Sequence, residues 1–175
     1  MELVDRIARH VRNIPDFPRP GVQFKDITPV LAHAEILQGA VELLMAPFRD
    51  AGVTKVVAIE ARGFILGGIL ADRFTAGFIP VRKRGKLPYQ AFEESYQLEY
   101  GSDSVEMHVD AIQSGDRVLI HDDVIATGGT AAASHALIQR AGGTVVGCSF
   151  LLELEFLRGR ERLNGLAPIH SVLRY

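Results

Sequence analysis

The densest run of chemistry-bearing residues in this 175-residue chain is Val118-Leu119-Ile120-His121-Asp122-Asp123-Val124-Ile125-Ala126-Thr127-Gly128-Gly129-Thr130. A buried strand is expected to end at Ile120, two acids follow, and a turn of small residues opens a helix. Ligands of open α/β sheets bind outside the carboxyl ends of the strands. Glycines let backbone N–H groups approach a phosphate, and a helix N-terminus favours its charge. Thr127 and Thr130 add hydroxyl donors. Two acids beside such a cradle would repel a phosphate unless they address something else, and ribose 2′ and 3′ hydroxyls can each donate to a carboxylate. The plainer alternative is that one Asp caps the helix while the other faces water. Gly129 stands where a Walker A loop carries Lys, which argues against an NTPase.

Elements that would position this run are legible on both sides. Leu3, Ile7, Val11 and Ile14 recur at helical spacing, with Glu2 and Asp5 near the positive end of the helix dipole, and Pro15 ends the helix. Asp16 to Asp26 is rich in proline and reads as an ordered loop. Ile36, Leu37, Ala40, Val41, Leu44 and Phe48 mark a second amphipathic helix, closed by Gly52. Val56 to Ile59 is a short apolar run suited to a strand covered on both faces. Gly63 to Phe74 has helical period, and Phe78 to Val81 is another strand. Tyr96, Leu98 and Tyr100, then Val105, Met107 and Val109, alternate about Gly101-Ser102-Asp103 as a half-exposed hairpin. Arg117 to Ile120 is a buried strand, Thr130 to Arg140 a helix stopped by Gly142-Gly143, and Thr144 to Leu152 a strand. Strands alternating with helices predict an α/β domain with a parallel core sheet and an attached antiparallel hairpin.

Composition narrows the function classes. Nineteen Lys and Arg against twenty-one Asp and Glu leave a net charge of −2. That balance gives no general attraction to nucleic acid or anionic membrane, so any anion site must be local. One cysteine, Cys148, rules out an intrachain disulfide and a Cys-based zinc site. No apolar run reaches the roughly 18 residues of a membrane span. Glu2 and Asp5 stand where a targeting segment would be basic, so the expectation is a cytoplasmic chain forming a single domain over residues 1–175. His10, His33, His108, His135 and His170 are scattered without metal-ligand spacing.

The Asp-Asp and Gly-Gly-Thr run resembles the phosphoribosyl diphosphate (PRPP) motif of the type I phosphoribosyltransferases. Further segments point to the adenine-using branch of that family: Pro15-Asp16-Phe17-Pro18 with Pro20-Gly21-Val22, Glu60-Ala61-Arg62-Gly63-Phe64, Arg84-Gly85-Lys86-Leu87-Pro88, and Ser95-Tyr96-Gln97-Leu98-Glu99-Tyr100-Gly101. The ordered set covers nearly the whole chain. The resemblance implies an α/β type I phosphoribosyltransferase fold with a parallel core sheet flanked by helices. It adds an N-terminal helix and base-binding hood over residues 1–33 and a hairpin lid over 82–109. The implied reaction is adenine plus PRPP giving AMP plus diphosphate, with Mg²⁺ arriving on PRPP and held mostly by its oxygens and water.

The resemblance also implies roles. Ala126, Thr127, Gly128, Gly129 and Thr130 would hold the 5′-phosphate, and Asp122 and Asp123 the ribose hydroxyls. Ala126 replaces an Asp that works on purine N7 in the hypoxanthine-guanine relatives. A methyl group exchanges no proton, so Glu99 becomes the catalytic candidate, to hydrogen-bond or protonate adenine at N7 while N9 attacks C1′. Taken alone, Glu99 reads as an exposed strand carboxylate. Glu60, Ala61 and Arg62 would form the diphosphate loop, which similar enzymes sometimes hold with a cis non-proline peptide. Arg82, Lys83 and Lys86, with Arg84, read either as a solvated run or as the base of a mobile lid. Family members are homodimers, and such cations can serve the neighbouring subunit's PRPP. Phe24 would stack on adenine, or be a core aromatic, while backbone atoms of Gln23 and Lys25 read N6 and N1. His121, usually apolar in the family, reads as a core histidine bonded to a backbone group or as a tuner of the adjacent acids. Cys148 reads as a small core residue, and Tyr89 replaces a Gly common in the lid of relatives. A ligand-sensing regulator on the same fold, or an enzyme for another base, are the competing readings. The retained lid and diphosphate loop argue against the first, and Ala126, Glu99 and the Pro-rich loop against the second.

Overall fold

The computed structural model describes residues 2–97 and 101–175. Two compact units emerge, residues 1–43 and 44–175. The first holds helix α1 (Leu3–His10), strands β1 (Arg12–Pro15) and β2 (Gln23–Asp26), helix α2 (Thr28–Ala32) and helix α3 (Ala34–Met45), which runs past the division. The first helix is shorter than its apolar spacing predicts. Val11 is already extended, and Ile14 lies in a strand opposite Phe24. A separation of three puts Val11 and Ile14 on one helix face but on opposite strand faces, so pairing of Arg12–Pro15 with Gln23–Asp26 overrides the spacing. The expected Asp16–Asp26 loop is therefore a loop only to Val22. Asp16 orders it by accepting a 2.7 Å hydrogen bond from Gly21 N.

In the second unit a seven-stranded sheet runs in the order β5, β6, β4, β3, β7, β8, β9. The strands are β3 (Lys55–Ile59), β4 (Gly77–Lys83), β5 (Ala91–Gln97), β6 (Ser102–His108), β7 (Arg117–Ile125), β8 (Thr144–Glu153) and β9 (Ile169–Arg174). Pairs β4–β3, β3–β7, β7–β8 and β8–β9 are parallel, and the β5–β6 hairpin joins β4 antiparallel. Helices α4 (Gly63–Phe74), α5 (Gly129–Arg140) and α6 (Gly159–Leu163) complete the unit. Val57, Ile59, Val118, Ile120, Phe150, Leu137 and Ile138 form one buried cluster, joined by Val105 and Met107 of β6. Burial on both faces explains why β3, β7 and β8 read as continuous apolar runs. The hairpin is thus an extension of the main sheet, with Arg140 of α5 lying 4.5 Å over the Phe92 ring.

Strand β7 outruns its expected end at Ile120. It stays paired with β8 through Asp122 opposite Phe150 and Ile125 opposite Glu153, whereas its pairing with β3 stops at His121. Adjacent carboxylates look like a strand end in sequence. Here they are tolerated because β3 has already stopped beside them. The chain leaves β3 for β4 on one side and later returns to lay β7 on the other. The ends of β3 and β7 therefore flank a topological switch point, where open α/β sheets bind ligands.

Candidate active site

Two loops meet at that switch point. The Glu60–Ala61 peptide after β3 is cis. Arg62, next along, lies with its Nε 2.7 Å from Asp123 Oδ2, a carboxylate that is 7% exposed. Asp123 N donates to Asp122 Oδ1 at 2.8 Å. The first turn of α4 comes so close that a methyl group on Gly63 would lie 2.8 Å from Asp122 Oδ1. Burial, then the adjacent Asp123 carboxylate, push the Asp122 carboxyl well above the usual carboxylate range. The candidate ribose and diphosphate residues are thereby joined.

The Glu60 carboxylate points away from this pair. Its Oε2 accepts from Arg82 Nε at 2.8 Å and from Lys83 N at 3.2 Å, while Arg82 Nη1 donates to the Lys86 carbonyl at 3.0 Å. Lys83 Nζ donates to Asp103 Oδ2 at 2.6 Å, and this bond raises the lysine's pKa and lowers that of the aspartate. Arg84 lies 3.6 Å from Glu93. The cation run is therefore neither a purely solvated strip nor wholly available to a ligand. Arg82 and Lys83 are braced by carboxylates, and Lys86 makes no ion pair among the described residues.

After β7 the chain passes through Ala126 and Thr127 to Gly128, whose φ of +75° places it in the left-handed region that favours glycine. Gly128 and Gly159 meet backbone to backbone, so a methyl on either would strike the other's strand-to-helix turn. Helix α5 then begins with no side-chain cap. Its first N–H groups are the orphan donors that an anion satisfies. A methyl on Gly129 would lie 2.8 Å from Tyr96 Cδ2 and 3.0 Å from Arg162 Nη1. The Tyr96 hydroxyl bonds Thr130 and donates to Asp103 Oδ2 at 3.4 Å, and burial pushes its pKa up.

Other expected residues fall outside this cluster. Gln23, Phe24 and Lys25 lie on β2 of the first unit. There Phe24 is half-buried and packs edge-on against Phe17 at 5.1 Å, so it is no core aromatic. Glu99 lies outside the described residues, as do Leu98 and Tyr100. His121 is fully buried, and its Nδ1–H donates to the Ser149 carbonyl at 2.9 Å, which is the core-histidine reading. Among the described residues its Nε2 has no hydrogen-bond partner, and burial lowers its pKa to about 4. Cys148 is a buried thiol pushed up to about 12 by burial. Tyr96, Gly159 and Arg162 are additions. Tyr96 lies in a segment that carries the family resemblance, which implies no role for it, and the other two stand in a stretch without periodicity, so nothing local marks them.

Residues 27–164 match the family model described as the phosphoribosyl transferase domain. The chain is 53% identical over 169 residues to the adenine phosphoribosyltransferase of Christiangramia forsetii, covering 97% of this chain and 98% of that one. It is similar to the crystal structure of adenine phosphoribosyltransferase from Rhodothermus marinus, with a TM-score of 0.96 and 62% identity over 99% of this chain and 98% of that one. The Saccharomyces cerevisiae adenine phosphoribosyltransferase, complexed with an imino-altritol bisphosphate and adenine, is similar at a TM-score of 0.92 and 36% identity over 98% of both chains.

Proposed function

Since this chain belongs to the phosphoribosyl transferase family, and within it to the adenine phosphoribosyltransferases, we infer that it joins adenine to PRPP, giving AMP and diphosphate. The observation that carries this reading is the meeting of Arg62 and Asp123 beside an uncapped, glycine-opened helix. One end of such a site suits a 5′-phosphate, the middle suits ribose hydroxyls, and the far loop suits a diphosphate.

Under this reading Ala126 to Thr130 hold the 5′-phosphate with backbone N–H and threonine hydroxyl groups. Asp122 and Asp123 accept from the ribose hydroxyls. Arg62, the Glu60–Ala61 backbone, Arg82, Lys83 and Lys86 face the negative charge that grows on the diphosphate as its bond to C1′ breaks. The Glu60 carboxylate contributes by bracing Arg82 rather than by touching an anion. As N9 bonds to C1′, adenine must give up its imidazole proton. With that proton on N7, Glu99 accepts it there and returns it in the reverse direction. Gln23, Phe24 and Lys25 read the base. A backbone carbonyl accepts from the adenine amino group and opposes the acceptor O6 of a 6-oxopurine. Pro15, opposite Gln23, has no N–H to donate to it.

Among the described residues no group of three or more His, Cys, Asp or Glu could cage a metal. This donor set fits Mg²⁺ carried in on PRPP and held mostly by its oxygens and water. When bound, Mg²⁺ neutralises charge on the leaving diphosphate. A homodimer belongs to the same reading, supported by exposed Ile65 and Phe78 on α4 and β4. No helix among the described residues is long and apolar enough to cross a membrane. A cytoplasmic location belongs to the same reading.

The test is AMP formation by the purified chain from adenine, PRPP and Mg²⁺, with hypoxanthine and guanine in parallel. Adenine turnover with little product from the 6-oxopurines is expected. Equal use of 6-oxopurines would overturn the base-reading assignment. No turnover with any base, alongside intact AMP binding, would make the chain a ligand sensor.

A further inference from the structure

On the reading of Ala126–Thr130 as the 5′-phosphate cradle and Glu99 as the group at N7, we propose that Arg162 is a positioning residue that ties the arm leading to Glu99 onto the 5′-phosphate end of the site. Arg162 lies on α6, which no part of the function above uses. Its Nη1 donates to the Gln97 carbonyl at 3.2 Å, and Gln97 is the last described residue of β5, two positions before Glu99 in sequence. The same Nη1 would lie 3.0 Å from a methyl on Gly129, the first residue of α5. One guanidinium therefore touches both the arm and the turn that opens the phosphate-binding helix.

Electrostatics give that position a purpose. No carboxylate pairs with Arg162 among the described residues, and a cation at the positive end of a helix is unfavourable by itself. A phosphate ester there reverses the sign, since it accepts from the uncapped α5 N–H groups and from the guanidinium together. The planar fork can donate to the phosphate and to the Gln97 carbonyl at once. Seating the 5′-phosphate then fixes Arg162, and Arg162 fixes the arm. Its base is firm. Arg160, two residues earlier, donates to both oxygens of buried Glu153 at 2.9 and 2.6 Å, and Gly159 abuts the Ala126 turn. Tyr96 adds a second hold on the same turn through Thr130.

The experiment is a double-mutant cycle on the full chain, reading kcat, KM for each substrate, AMP affinity by calorimetry and thermal unfolding. The variants are Arg162→Ala, Arg162→Lys, Glu99→Gln and the pairs. Arg162→Ala should lose about tenfold in both AMP affinity and kcat, the scale of one charged hydrogen bond. In the Glu99→Gln background it should lose little further rate while AMP affinity still falls. Arg162→Lys should recover affinity but not rate, because an ammonium answers the phosphate without spanning to the carbonyl. Should the alanine variant fail to fold, the lysine variant carries the same rate cycle. Rate losses that multiply in the double variant, or an Arg162→Ala enzyme with unchanged kinetics, would overturn this inference alone. A wild-type chain that makes no AMP would overturn the functional reading and this one with it.

Discussion

Arg62 and Asp123 hold each other at 2.7 Å across the switch point of the sheet, and on the proposed reading a phosphoribosyl diphosphate separates them. Its ribose hydroxyls and its diphosphate offer each partner a replacement, so the exchange leaves neither charge stranded. On that reading Arg62 meets the diphosphate, so for Arg62→Ala calorimetry should show PRPP and diphosphate bound about ten- to a hundredfold more weakly. Unchanged binding would refute the assignment of Arg62. The two acids and the Gly-Gly-Thr turn were legible because they lie in one short run. The ion pair was not, because it joins loops after different strands. His121 makes the opposite case. Its imidazole bonds a backbone carbonyl in the core, and burial lowers its pKa to about 4. The unfolded chain protonates this group below about pH 6.5, the folded chain only below about 4. Its stability contribution is therefore intact above pH 6.5 and lost as pH falls towards 4, roughly 3 kcal/mol in all. His121→Val should leave kcat near neutral pH within about twofold, a buried side chain off the reaction path having no transition-state contact to lose. Its melting temperature should fall less steeply between neutral pH and pH 4 than that of the wild type. A large loss of turnover would restore His121 as a tuner of the acids.

At the scale of elements, strands β3, β4 and β8 and helices α4 and α5 were legible to within about two residues, because burial on both faces and a 3.6-residue period leave strong patterns. Two kinds of element escaped. Strand β7 runs on through Asp122 and Asp123 because β8 continues beside it, a pairing that local composition opposes. Helix α6 and strand β9 escaped because they are short and their order comes from distant partners: β9 pairs in parallel with β8, α6 buries Leu163 in the core, and a buried carboxylate ties the two together. Glu153 ends β8 with only 6% of its side chain exposed, and Arg160 of α6 caps it through two hydrogen bonds while also donating to the Ile169 carbonyl of β9 at 3.1 Å. Arg160→Met would leave that carboxylate with the Ser171 hydroxyl and with Arg174, at 3.6 Å. The cost should be about 2 kcal/mol, below that of a fully buried pair because Arg160 is itself partly exposed. A drop of about 4 to 8 °C in melting temperature is expected. Because the Arg160 hydrogen bonds hold the Glu153 carboxyl below its usual range, the pair stabilises the fold above that range and ceases to as pH falls through the lowered value. The difference between wild type and variant should accordingly shrink in acid, and a difference independent of pH would show that Arg160 acts by packing.

Across the whole chain, overall charge and site charge point in opposite directions. The net charge is −2, yet the proposed PRPP residues include Arg62, Arg82, Lys83 and Lys86, and Arg162 is added here. A chain with this balance does not attract a polyanion from afar, so capture of PRPP must depend on cations at close range. Several of them are already braced, Arg82 by Glu60 and Lys83 by Asp103, which keeps them ordered while lowering the positive potential each presents. Adenine is neutral and feels none of this. Raising ionic strength from about 0.1 M to about 1 M shortens the Debye length from about 10 Å to about 3 Å. The KM for PRPP should then rise severalfold while that for adenine stays nearly constant. Braced cations also predict where that sensitivity resides. Lys83 gives up a 2.6 Å bond to Asp103 if it turns to a ligand, whereas Lys86 gives up no ion pair among the described residues. Lys86→Gln should therefore remove more of the salt dependence of the PRPP KM than Lys83→Gln does. Equal slopes for both variants would mean that the Asp103 bond does not restrain Lys83 in the complex, and the bracing would then serve the hairpin alone.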